Sequence, residues 1–185
     1  MSLTLLSFQE VWARVDGVDG WLTAEEAAAL YGAAMQTPQD GLIVEVGSYK
    51  GRSLTVLAET GRRVLAVDPL ELGVSIAKTA ITEETVAALQ AVVDAYPNVE
   101  WIRKRSGEVN PPHDIDLLYI DASHRYPHPL EDFRAFQKYL KPEALVAWHD
   151  YGRDFGVTKS VDELIASGEF TWLSKNGTMV IGTLP

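Results

Sequence analysis

The chain has 185 residues, 46% hydrophobic and 23% charged, with a formal net charge of −10 and no cysteine. Such a composition suits a folded domain with a sizeable core, not a disordered chain. The negative balance repels a phosphate backbone, so a nucleic-acid partner is disfavoured, and the missing cysteines exclude disulfides, thiolate metal sites and a cysteine nucleophile.

Residues 5–36 read as helical. Leu5, Leu6, Phe8, Val11 and Trp12 share one face at helical spacing, and Gly17 to Gly20 breaks the pattern. Thr23-x-x-Glu26 then has the form of a capping box, opening a second, alanine-rich helix that Pro38 and Gly41 close. No apolar run approaches the roughly 20 residues of a membrane helix. The N-terminus lacks a basic segment followed by an apolar core. The expectation is a cytoplasmic protein with no membrane partner.

From residue 42 the rhythm changes. Short apolar runs occur at 42–46, 64–68, 99–102, 115–121 and 144–149, with helical stretches at 52–60, roughly 82–95 and 128–140. Near-continuous apolar strands alternating with helices predict an α/β fold with a parallel sheet covered on both faces. Phe170–Leu173 and Thr178–Ile181 flank Lys175-Asn176-Gly177, which predicts an antiparallel hairpin at the end of the sheet. One domain over 1–185 is expected, with 1–40 a helical lead-in and 41–185 a Rossmann-like core. Arg103-Lys104-Arg105 is the one tight basic run and reads as a solvated strand end.

Open α/β sheets bind ligands beyond the carboxyl ends of their strands. The first strand ends in Glu45-Val46-Gly47-Ser48-Tyr49-Lys50-Gly51, where glycines allow a tight turn into a helix whose free N–H groups favour negative charge. A dinucleotide fingerprint needs G-x-G-x-x-G. Gly47 and Gly51 do not supply it, which disfavours the alternative of an NAD-type oxidoreductase.

Glu45-x-Gly47-x-x-x-Gly51 instead resembles motif I of class I methyltransferases, with Tyr49 where a middle glycine is common. Ile115 to Tyr126 resembles the fourth-strand signature of the methyltransferase family 24-like group, related to sugar O-methyltransferases. Asp132-Phe133, Tyr139 to Pro142 and Ala147 to Tyr151 continue the likeness, which spans roughly 40–152. The resemblance implies a mostly parallel seven-stranded sheet and a methyltransferase using S-adenosylmethionine, leaving S-adenosylhomocysteine, on a small hydroxylated molecule. A cofactor-binding relative without methyl transfer is the alternative.

Cofactor contacts are expected at Glu45, Gly47, Ser48, Tyr49, Gly51, Ser53, Asp68, Ser106 and Asp121. Asp68 suits the ribose hydroxyls. Relatives hold magnesium with three acidic residues, which maps a divalent cation onto Asp121, His149 and Asp150, with His149 in place of an acid. His124 and His149 are the candidate proton acceptors, since imidazole titrates near neutrality; His113 and His128 read as surface or structural. Tyr49, Tyr126 and Tyr151 are candidates for the acceptor pocket. A chain this short leaves either an open acceptor cleft or a cleft covered by a second subunit, which makes a homo-oligomer.

Overall fold

The computed structural model describes residues 7–76, 79–112 and 114–185. The expected helical placement of Leu5 and Leu6 and the reading of His113 lie outside these residues. Two helices come first, α1 (Phe8–Val15) and α2 (Ala24–Ala34). Each opens on a capping box, Ser7 with Glu10 and Thr23 with Glu26. The break between them has a cause in tertiary structure. The Arg52 guanidinium donates to the carbonyls of Val15, Asp16, Val18 and Leu22 and lies over the Trp12 ring. One side chain thus satisfies the orphan carbonyls after α1.

The remaining elements follow in order: β1 (Leu42–Val46), α3 (Arg52–Ala58), β2 (Arg63–Val67), β3 (Ser75–Ile76), β4 (Thr79–Ala80), α4 (Glu83–Ala95), β5 (Val99–Ile102), β6 (Ile115–Ile120), α5 (His128–Gln137), β7 (Leu140–Trp148), α6 (Phe155–Ala166), β8 (Thr171–Asn176) and β9 (Met179–Thr183). Seven strands form one sheet in the order β5-β2-β1-β6-β7-β9-β8. Its first five strands are parallel, and β9 runs antiparallel to both β7 and β8. The expected mixed sheet is therefore present. The small β3–β4 hairpin and α6 are additions to the sequence reading. Among the described residues no helix is long and apolar enough to cross a membrane.

Successive strand residues serve opposite faces. Ile43, Leu117 and Tyr119 pack under α1–α4, while Val44, Leu118 and Ile120 pack under α5 and α6. That two-sided burial is why these strands read as unbroken apolar runs. The C-terminal hairpin differs slightly from expectation. β8 continues through Asn176, and the loop is Gly177-Thr178, with Gly177 at φ +59°. A glycine in the first place of a two-residue loop is the II′ pattern.

The strand order reverses beside β1, between β2 on one side and β6 on the other. The turns after β1 and β6 therefore open into one crevice. They approach so closely at Gly47 (φ +90°) that a Cβ there would lie 2.4 Å from the Asp121 carbonyl oxygen and 2.6 Å from Ala122 Cα.

Candidate active site

The turn after β1 is built around Asp68, which follows β2. Its Oδ2 accepts the backbone N–H of Ser48 at 2.9 Å and of Tyr49 at 3.0 Å, and its Oδ1 accepts that of Leu70 at 2.9 Å. The sequence suggested amides facing a ligand, with Asp68 free for ribose. Here two of those amides bond Asp68 itself, which is buried, and burial raises its pKa despite the three N–H donors. Tyr49 sits at φ +49°, a strained setting for a bulky residue, and its ring packs on Trp21 at 5.0 Å. Lys50 pairs with Asp19 at 2.7 Å. With Arg52, these contacts tie residues 15–22 to the turn.

Glu45, on β1, is fully buried. Its Oε2 accepts from the Ser48 hydroxyl at 2.5 Å, and its Oε1 has no hydrogen-bond partner. Burial pushes its pKa up to about 8, against the pull of the Ser48 hydrogen bond and the neighbouring Ser53 hydroxyl. An oxygen with no partner inside the fold fits a ligand that brings one, as the ammonium of an amino acid would, its positive charge favouring the ionised carboxylate.

Across Gly47 stand the residues that end β6 and β7. Tyr119 donates to Asp121 Oδ2 at 3.0 Å. His124 Nε2 lies 3.3 Å from Asp150 Oδ2 and 3.7 Å from Asp121 Oδ1, and its Nδ1 lies 3.6 Å from Asp154 Oδ2. The Asp121 carboxylate raises the His124 pKa, outweighing desolvation. Asp150 adopts φ +62°, in the left-handed region that a short polar side chain tolerates.

One ligand atom each from Asp121, His124 and Asp150 lies within 4.8 Å of the others. Ligands held about 2.1 Å from one ion sit about 3.0–3.5 Å apart. Two carboxylates and an imidazole thus converge on one point as ligands of a divalent cation would, His124 Nε2 lying 3.3 and 3.7 Å from the two carboxylate oxygens.

The sequence reading gave the third place to His149; His124, the more exposed of the two rings, also offers a nitrogen to the same carboxylates. Trp148 points into the α5–α6 face, so the next residue turns the opposite way, toward α2. His149 is 3% exposed there. Its Nε2 is 3.3 Å from Glu26 Oε2, and its Nδ1 is 3.4 Å from both Asp121 Oδ1 and Asp150 Oδ2. Burial works against its charge, but Asp121, Asp150 and Glu26 hold its pKa far above the usual range. A ring held as imidazolium is not poised to take a proton.

Glu26 was visible in sequence only as a helix cap. Burial works to raise its pKa, but the His149 ring beside it and hydrogen bonds from Thr178 and Thr23 hold the carboxyl well below its usual range. Asp154, the N-cap of α6, is a second site neighbour missed; an Asp two residues before the Gly156-Val157 start of a helical pattern was the available signal.

The other expected residues spread out. Ser106, in a short 3-10 turn, donates to Asp132 Oδ1 of α5 at 2.5 Å. Tyr126 and Tyr151 point their hydroxyls at Glu163 and Asp162 of α6. His128, exposed at the start of α5, bonds Ser123 at 2.8 Å. Arg103, Lys104 and Arg105 are exposed past β5; Arg103 donates to the carbonyls of Pro69 and Leu70, and Arg105 pairs with Glu71.

A family model described as a methyltransferase domain matches residues 44–151. Protein R132 of Acanthamoeba polyphaga mimivirus is 26% identical over 156 residues, covering 77% of this chain and 67% of that protein. Among solved structures, the O-methyltransferase TomG of Streptomyces achromogenes, involved in tomaymycin synthesis and solved with S-adenosylmethionine, superimposes with a TM-score of 0.69 at 16% identity, over 96% of this chain and 87% of that one. An O-methyltransferase of Bacillus cereus in complex with S-adenosylhomocysteine gives 0.67 at 14%, over 96% and 90%. At these identities the structures speak for the fold.

Proposed function

The chain belongs to the methyltransferase domain family, and on that premise we propose that it uses S-adenosylmethionine to methylate a hydroxyl group of a small molecule. The observation that carries the reading is the convergence of Asp121, His124 and Asp150 directly across Gly47 from the turn after β1. S-adenosylmethionine brings an electrophilic methyl group, and transfer in line with the breaking C–S bond makes placement the enzyme's main task.

The chain's residues divide that task. Glu45 Oε1, buried and unpartnered, receives the amino end of the cofactor. Asp68 fixes the turn through the Ser48 and Tyr49 amides and keeps a lone pair of Oδ1 for a ribose hydroxyl. Ser106 borders the adenine end. Asp121, His124 and Asp150 would hold a divalent cation, which supplies a lowered pKa for the acceptor hydroxyl. The accessible imidazole is that of His124, half-buried, whereas His149 is sealed in. Four carboxylates (Glu26, Asp121, Asp150 and Asp154) gather here, and they turn away anionic acceptors.

Calorimetry with S-adenosylmethionine and S-adenosylhomocysteine tests the reading, followed by methyl transfer to catechols and sugars with Mg²⁺ or EDTA. Binding of both ligands is expected. Binding of neither sinks the proposal.

A further inference from the structure

The segment ahead of the sheet carries two tryptophans with opposite fates. Trp12 is half-buried, its ring covered by the Arg52 guanidinium. Trp21 is 48% exposed. Its ring packs on that of Tyr49, with centroids 5.0 Å apart and planes 32° off parallel, and much of the indole stands open. A tryptophan used only for packing is covered further than this.

Residues 16–23 form neither helix nor strand, yet they are firmly held. The holding contacts come from the turn after β1 and the first residue of α3. Arg52 donates to the carbonyls of Val15, Asp16, Val18 and Leu22, and Lys50 pairs with Asp19 at 2.7 Å. A Cβ on Gly20 would stand 3.0 Å from the Arg52 side chain, so the residue before Trp21 is pressed against the same arginine. Tyr49 supports the indole from a left-handed backbone, a strain that collects at ligand clamps.

Trp21 is thereby fixed beside the crevice from two directions. Tyr49 belongs to the turn that meets Asp121 across Gly47. Downstream, α2 opens at Ala24, and its Glu26 reaches His149, which adjoins Asp121 and Asp150. Ligand pockets combine apolar and aromatic walls with a few converging polar groups. Here the wall is Trp21 on Tyr49, and the polar end is Asp121, His124 and Asp150.

We infer that, on the methyltransferase reading above, Trp21 is a specificity-determining residue. Its open face takes the flat ring of an uncharged hydroxyarene whose hydroxyl reaches Asp121, His124 and Asp150. Aromatic rings stack offset or tilted on one another, and such pairs add to the gain from buried area. Trp21 lies outside the residues matched by the family model, so the selecting ring comes from this chain's lead-in and not from the matched core.

The test measures, by calorimetry, binding of naphthalene-2,3-diol and of cis-cyclohexane-1,2-diol to protein saturated with S-adenosylhomocysteine. The second diol keeps the paired hydroxyls and lacks the flat ring. Wild type should bind naphthalene-2,3-diol about tenfold or more tightly than the saturated diol. Trp21→Ala should weaken naphthalene-2,3-diol about tenfold, and Trp21→Phe should stay within about threefold of wild type.

An unchanged affinity for naphthalene-2,3-diol in Trp21→Ala overturns the proposal. So does a wild type that binds both diols alike, or neither. Equal loss of naphthalene-2,3-diol and S-adenosylhomocysteine in Trp21→Ala also overturns it, because the ring would then serve the cofactor turn. If Trp21→Ala does not fold, Trp21→Leu keeps apolar bulk without a flat face, and unchanged affinity there overturns the proposal equally. S-adenosylhomocysteine is titrated into wild type first. No binding sinks the methyltransferase reading and this one with it, whereas binding without any effect of Trp21 sinks this one alone.

Discussion

Replacing Glu45 with Gln should remove a pH dependence from the stability of the protein. The carboxyl is fully buried, and burial lifts its pKa from the model-compound value of 4.5 to about 8. Between those values the folded chain holds a proton that the unfolded chain releases. Its contribution to stability is thus complete below about pH 4.5 and is lost as pH rises through 8. The slope is about 1.4 kcal/mol per pH unit, or about 4 kcal/mol between pH 5 and 8. Glutamine keeps the acceptor for the Ser48 hydroxyl and has no proton to lose. Urea unfolding of both proteins at pH 5, 6.5 and 8 isolates the effect, because other titrating groups cancel in the difference. The stability of Glu45→Gln relative to wild type should climb by about 4 kcal/mol across that range. A difference that stays flat would refute the claim that Glu45 is protonated in the fold.

Three further outcomes are expected. Gly47→Ala places a Cβ 2.4 Å from the Asp121 carbonyl oxygen at φ +90°; thermal denaturation should show a loss of about 3 kcal/mol or more, and a loss under about 1 kcal/mol contradicts the close approach. Asp68→Ala strands the N–H groups of Ser48, Tyr49 and Leu70; it should cost about 2–4 kcal/mol in urea unfolding and abolish S-adenosylhomocysteine binding in calorimetry. His124→Ala should leave S-adenosylhomocysteine affinity within about twofold and weaken Mn²⁺ about tenfold or more, whereas equal loss of both would mean that the loop after β6 has collapsed.

The central strands were legible because they are buried on both faces and so carry unbroken apolar runs, as in Leu42 to Val46 and Ile115 to Ile120. The hairpin was legible from Gly177, although its loop lies one residue later than Asn176-Gly177 suggested. Helix α6 went unread although Val157, Val161 and Leu164 are spaced for one buried face.

At the site, residue types at strand ends could be read, but not the directions they take. His149 follows Trp148, and only the pleat decides that it faces α2 and not the cleft. Glu26 is harder still. Its local pattern already has a sufficient explanation as a cap, and its other partners lie at His149 and Thr178, far along the chain. Asp68 could be identified as important, but its commitment to the Ser48 and Tyr49 amides is a matter of turn geometry.

The bond from Thr178 to Glu26 spans 152 residues. During synthesis α2 therefore emerges long before the hairpin that completes it. Contacts of such separation form late, after the intervening chain has been ordered. Until β8 and β9 arrive, Glu26 can cap its own helix but cannot be buried at low cost. The first-made part of the chain thus waits on the last. A fragment ending before residue 171 would lose the sheet edge and also leave the Glu26 carboxylate of α2 without its Thr178 partners.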